Sequence, residues 1–172
     1  MEYLIQRAKN GDPDAFTELM QSHMQTMYKT ARSILRSDED AADAIQDTIL
    51  CCWEKIVQLR ENKYFKTWMT RILINKCKDL LKSKNEYLLD DRFYEVAVSS
   101  REFDNIEWKE TLNTLDEKYR LVIILYYVEG FKTGEISQIL DIPESTVRTR
   151  LARGREKMSV IYQIDREGRA TS

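Results

Sequence analysis

The sequence is poor in residues that bend or break a chain, with five glycines and two prolines among 172 residues. So little punctuation argues against a fold made of many short strands and tight turns. Cysteine is scarce as well: Cys51, Cys52 and Cys77 form an odd set without CxxC spacing, and His23 is the single histidine. No disulfide framework and no zinc-ligand spacing can be read from these positions, and reduced thiols packed in helices are the expectation. No run of 18 apolar residues occurs, and the N-terminus MEYLIQRAKNGDPDAF carries neither the basic nor the apolar region of a secretory signal. A cytoplasmic protein with no direct membrane insertion is expected. Also missing are a nucleophile with its base and orienting group, a glycine-rich phosphate loop and a metal-binding spacing. Neither an enzyme nor a cofactor is expected.

What the chain does have is apolar residues, 42% of the total, recurring at intervals of three and four over most of its length. The class is all-α. Asp12 and Pro13 read as the cap and first position of a helix, on which Phe16, Leu19, Met20, His23, Met24, Met27, Ala31, Ile34 and Leu35 mark one face. Ser37, with Asp40 three residues on, resembles a capping box and opens a helix running to about Leu59, with Ile45, Ile49, Cys52 and Ile56 as its apolar stripe. Residues 63–84 read as a third long helix. From Glu86 to Glu117 ten acids stand against three basic residues, and periodicity is sparse until Trp108. The expected organisation is two small helical domains, 1–85 and 106–165, joined by an acidic linker over 86–105. In the second, Trp108, Leu112 and Leu115 lie on a short helix, followed after Asp116 by the strongly apolar YRLVIILYYV.

Near the C-terminus TVRTRLARGREKM, residues 146–158, holds five basic residues and one acid in a chain of formal net charge −2. Before it, Thr133 is placed to cap a helix that turns Ile136, Ile139 and Leu140 inward, and DIP forms a short turn with Pro143 set for the next helix. This is a helix-turn-helix pattern. At 100° per residue Val147, Leu151, Gly154 and Met158 share the inward face. Arg150, Arg153 and Lys157 fall on one flank, Arg148 and Arg155 on the other, and Ser145, Thr146 and Thr149 point outward near the N-terminal end, where a recognition helix meets base edges. Duplex DNA, with one charge per roughly 1.7 Å, accounts for the clustering.

Two further faces carry one sign of charge. Residues 38–54 contain six acids and no Lys or Arg, and Asp40, Asp43, Asp47 and Glu54 form one outward stripe beside Gln46 and Leu50. Stacked like charges cost a few tenths of a kcal/mol per pair, so the stripe is better explained by a basic partner surface. Residues 60–84 have eight basic residues against two acids, and Arg71, Asn75, Lys78 and Lys82 share a face suited to a DNA backbone. Just before, RENKYFK interleaves Arg60, Asn62, Lys63 and Lys66 with Tyr64 and Phe65, the mixture that binds single strands. Trp68 and Ile72 read as core.

DAADAIQDTILCCWEKI, YFKTWMTRILINKCKDLLK and LNTLDEKYRLVIILYYVEGFKTGEISQILDIPESTVRTRLARGREKM, in this order and spacing, resemble a bacterial sigma factor of the extracytoplasmic-function group of the sigma-70 family. The first resembles the polymerase-binding helix, the second the promoter-melting helix and the third the domain that reads the −35 element, with Thr133 expected among its DNA contacts. The resemblance implies core RNA polymerase as partner, through its clamp coiled coil and flap, promoter DNA as ligand, and an anti-sigma factor as regulator. It places the loop that captures a flipped −10 base in the RENKYFK segment. Cys51-Cys52 and WMTRILIN depart from the commoner residues of the group while keeping helix and burial. Two other readings compete: a stand-alone helix-turn-helix regulator that binds an operator without polymerase, and an all-α scaffold that binds only proteins. The second leaves both basic faces unexplained.

Overall fold

The structure, a computed structural model, describes residues 1–88 and 111–170, with side chains described through 84 in the first stretch and through 160 in the second. The described residues are almost wholly helical, and no strand occurs among them. They fall into two compact units, most of the first lying N-terminal to residue 98 and most of the second C-terminal to it. Residues 89–105 of the expected linker, and Trp108, lie outside the described residues.

The first unit consists of α1 (Glu2–Lys9), α2 (Pro13–Ile34), α3 (Asp38–Lys55) and α4 (Phe65–Leu88), with short 3₁₀ turns at Ile56–Gln58 and Asn62–Tyr64. Helix α1 has no counterpart among the sequence expectations. Asp12 caps α2 as its position predicts, Oδ1 accepting from the amides of Asp14 at 3.0 Å and Ala15 at 3.1 Å. Its second oxygen accepts from Arg7 Nε at 2.8 Å, which locks the turn between α1 and α2. Those amide bonds, with the Arg7 guanidinium beside them, hold the Asp12 carboxyl below its ordinary value. Ser37 caps α3 through Oγ, which accepts from the Asp40 amide at 3.3 Å. The helix ends at Lys55, short of Leu59, and the chain tightens into the 3₁₀ turn.

The expected face of α2 is buried except for Met24, which is 41% exposed. Leu19, Met27, Met69, Leu73 and Ile74 are fully covered where α2, α3 and α4 pack together. His23 belongs to this core: its Nδ1 lies 2.9 Å from the Leu19 carbonyl oxygen and its ring meets Phe65 edge-on at 5.4 Å. Burial pushes the Cys52 thiol up to about 12, the neighbouring Cys51 adding to the effect.

The second unit follows a helical turn at 111–114 with α5 (Glu117–Ile123), which runs into a π turn at Ile124–Val128. The Glu129 amide reaches the Ile124 carbonyl at 3.0 Å, and Gly130 then takes φ 73°, a left-handed conformation glycine adopts without strain. Helix α6 (Thr133–Leu140) and helix α7 (Glu144–Ala170) complete the unit. Between them Asp141 sits at φ 54°, ψ 49°, and Ser137 fastens the turn, its hydroxyl donating to the Ile142 carbonyl at 2.6 Å. Where α7 crosses α5 a Cβ on Gly154 would stand 3.0 Å from Ile123 Cγ1, so the close approach of the two helices depends on its having none.

Candidate nucleic-acid interface

Helix α7 presents the two faces its sequence predicts. Val147, Leu151, Gly154 and Met158 are buried; Ser145, Arg148, Thr149, Arg153, Arg155 and Lys157 are exposed, with Thr146 and Arg150 half-buried. Ser145, Thr146, Thr149, Arg150 and Arg153 come together in a shallow hollow of about 250 Å³, which Lys118 and Tyr119 of α5 complete. Lys118 lies outside the basic run and joins the site only through the packing of α5 on α7. The Thr149 hydroxyl donates to the Ser145 carbonyl at 2.9 Å, which leaves its oxygen able to accept.

The flanks differ in how their cations are held. Arg148 Nη2 donates to Glu144 Oε1 at 2.7 Å, and Arg155 Nη1 donates to the Tyr127 hydroxyl oxygen at 3.0 Å. Lys157 Nζ stands 5.6 Å from the Tyr119 ring centre. Thr133 departs from expectation: Lys132 is the cap position and Thr133 the first helical residue, its hydroxyl donating to Glu144 Oε1 at 2.5 Å. The physical reason is the Glu135 carboxylate, which accepts from the Lys132 amide at 2.8 Å and so satisfies the helix start. Thr133 and Arg148 together hold the Glu144 carboxyl below its ordinary value, the hydroxyl bond first.

On the first unit Arg71, Asn75, Lys78 and Lys82 are all exposed along α4. In the loop before it Arg60, Lys63 and Tyr64 are exposed, while Asn62 and Lys66 are half-buried. Lys63 Nζ lies 2.7 Å from the Glu61 carboxylate and 4.8 Å from the Tyr64 ring centre. Phe65 is not available to DNA. It opens α4, is 2% exposed, and stacks among Trp68 and His23, because it heads the stripe continued by Met69, Leu73 and Cys77. Trp68 and Ile72, expected in the core, are half-buried beside that stripe.

The acidic face of α3 leaves Asp43, Gln46, Asp47, Leu50 and Glu54 exposed. Trp53, and Val57 in the 3₁₀ turn just beyond the helix, are also exposed, at 39% and 65%, and their spacings of three and seven from Leu50 were the available signal. Asp40 is set apart: only 15% of its side chain is exposed, and it pairs with Lys84.

Cys51, Cys52 and Cys77 form no disulfide, and no cluster of metal-ligating side chains occurs among the described residues. Nor is any helix among them long and apolar enough to cross a membrane.

Comparison with known proteins connects these surfaces. Residues 19–87 match the family model described as Sigma-70 region 2, and residues 106–158 match Sigma-70, region 4. The chain is 32% identical to the ECF RNA polymerase sigma factor SigW of Bacillus subtilis, over 90% of this chain and 92% of that protein. It is 30% identical to the RNA polymerase sigma factor NccH of Alcaligenes xylosoxydans xylosoxydans, over 94% of each. Its structure is similar to that of CnrH in complex with the cytosolic domain of CnrY, with a TM-score of 0.70, 26% identity and coverage of 95% of this chain and 97% of that one. The fold is also that of the sigma factor RpoE in complex with the anti-sigma factor NepR from Bartonella quintana, with a TM-score of 0.75, 22% identity and coverage of 87% and 98%.

Proposed function

The chain belongs to the sigma-70 family as an RNA polymerase sigma factor of the extracytoplasmic-function group, and on that ground we propose that its charged faces divide the steps of transcription initiation. A factor of this kind directs core polymerase to specific promoters, binds the −35 element and opens the −10 element. We assign core binding and the −10 element to residues 1–85, a linker to 86–105 and the −35 element to 106–165.

The acidic face of α3, with Asp43, Gln46, Asp47, Leu50 and Glu54, takes the polymerase clamp coiled coil, and the second unit takes the flap. Asp40, in the first turn of α3, joins that helix to α4 through Lys84. Arg71, Asn75, Lys78 and Lys82 hold the DNA backbone, and Arg60, Asn62, Lys63, Tyr64 and Lys66 capture an unstacked base. Ser145, Thr146 and Thr149 read base edges of the −35 element between phosphate contacts from Arg148, Arg150, Arg153, Arg155 and Lys157. Unstacking a base costs a few kcal/mol, and a surface that binds it offsets that cost without ATP.

CnrH and RpoE were each solved with a bound partner, for RpoE an anti-sigma factor, and on that likeness we assign this chain an anti-sigma factor too. Working on polymerase, it acts in the cytoplasm.

The observation that carries the reading is the hollow in which three outward hydroxyls of α7 meet Arg150, Arg153 and Lys118. Hydroxyl groups among cations suit base edges flanked by phosphates, and a scaffold that binds only proteins has no use for them. Transcription with core polymerase on a promoter library randomised over both elements tests the function. Enrichment of a paired −35 and −10 sequence is the expected result. Operator binding without core and without transcripts would favour the stand-alone regulator.

A further inference from the structure

The N-terminal helix α1 bonds to the loop before α4. Lys9, the last residue of α1, donates from Nζ to the Leu59 carbonyl oxygen at 2.6 Å and to Asn62 Oδ1 at 3.1 Å. An ammonium group has donors and no acceptor, so the Asn62 amide is oriented: its oxygen faces Lys9 and its nitrogen lies toward Gln6, with one of its two hydrogens left over. The nitrogen is 3.5 Å from Gln6 Oε1, at the outer limit of a hydrogen bond, and is held weakly there.

The placement runs against simple electrostatics. Arg60, Lys63 and Lys66 already make this segment basic, and a fourth cation adds repulsion unless oxygen acceptors offset it. The Leu59 carbonyl alone would tie α1 to the loop. The second bond does something else, since it occupies the acceptor of a side chain that stands next to exposed Tyr64 and Lys63.

We propose that Lys9 is a positioning residue for promoter opening: it fixes which end of the Asn62 amide is the nitrogen, so that the loop offers the NH₂ hydrogen not directed at Gln6 as a donor to the unstacked base. The inference rests on reading residues 60–66 as the capture loop. An oriented NH₂ favours bases with an acceptor on the contacted edge, whereas an amide free to flip meets donors and acceptors alike. Lys9 touches no DNA in this account; it acts through Asn62.

The test uses holoenzyme assembled from the full chain and core polymerase, with open complexes measured on promoters randomised across the −10 element. Lys9→Met is expected to lower opening on the preferred sequence about tenfold, the scale of one hydrogen bond to a charged group, and to flatten base preference at one position. Lys9→Arg, which keeps charge and donors, should retain most of that preference. In the Asn62→Ala background Lys9→Met should add no further loss, because the two residues act as one unit. A promoter with the −10 region held open as a mismatch bubble should restore transcription by Lys9→Met; failure there marks a general loss of fold or core binding and overturns the proposal. A wild-type preference profile in Lys9→Met, or additive losses in the double variant, overturns it as well. If Asn62→Ala itself opens promoters with wild-type rate and preference, the capture-loop reading fails with it; if Asn62→Ala is defective and Lys9→Met is not, only the positioning role falls.

Discussion

Asp40 Oδ1 lies 2.6 Å from Lys84 Nζ, and this pair ties the first turn of α3 to the far end of α4. The acidic stripe read from the sequence therefore has two parts. Asp40 braces the helices, while Asp43, Asp47 and Glu54 remain open to a partner. Because the lysine is 51% exposed, the pair is worth at most about 1 kcal/mol.

Reversing Asp43 and Asp47 to Lys should weaken core binding at least tenfold and leave helicity and melting temperature unchanged, since both side chains face solvent. Asp40→Asn should do the opposite, lowering stability slightly with core affinity preserved. Titrating labelled core polymerase against each variant, beside a thermal melt, checks both halves.

Tyr64 and Phe65 are neighbours with opposite fates, 43% and 2% exposed. Phe65→Ala should cost about 3–5 kcal/mol of stability through the cavity it leaves. Tyr64→Ala should stay within about 0.5 kcal/mol of the parent and impair opening instead, by the roughly 1–3 kcal/mol of a lost base stack. Denaturant unfolding and open-complex assays on the same two proteins distinguish the roles.

Arg150 lines the hollow beside Thr146 and Thr149, and as a phosphate contact it should act on all sequences alike. Arg150→Ala should lower the slope of log affinity against log salt by about one. A change in base preference at constant slope, read from binding over a salt series, would reassign it to base reading.

Much of this architecture is legible in local chemistry. Asp12 and Ser37 cap their helices from the positions where the local sequence puts them, and the inward face of α7 follows from a period that tertiary contacts do not alter. What stayed hidden depends on packing across the chain. Helix α1 is short, and its end gains meaning only where Lys9 meets Leu59 and Asn62, residues 50 and 53 positions away. Phe65 looks like a loop aromatic until its place at the head of the α4 stripe buries it. Lys118 enters the hollow through α5, and Thr133 loses its capping role because Glu135 reaches back to the preceding amide. The π turn at Ile124–Val128 interrupts an apolar run whose sequence carries no sign of it.

In the proposed division of labour, the surface before α4 captures an unstacked base while separate surfaces hold polymerase and the −35 element. Permanganate footprinting of the −10 region tests it most directly, with holoenzyme carrying Asn62→Ala, Lys63→Ala and Tyr64→Ala together. The expected result is near-normal core binding and −35 protection, loss of −10 reactivity on intact duplex, and at least partial recovery on a pre-melted bubble. Full −10 reactivity by the triple variant on intact duplex would contradict it.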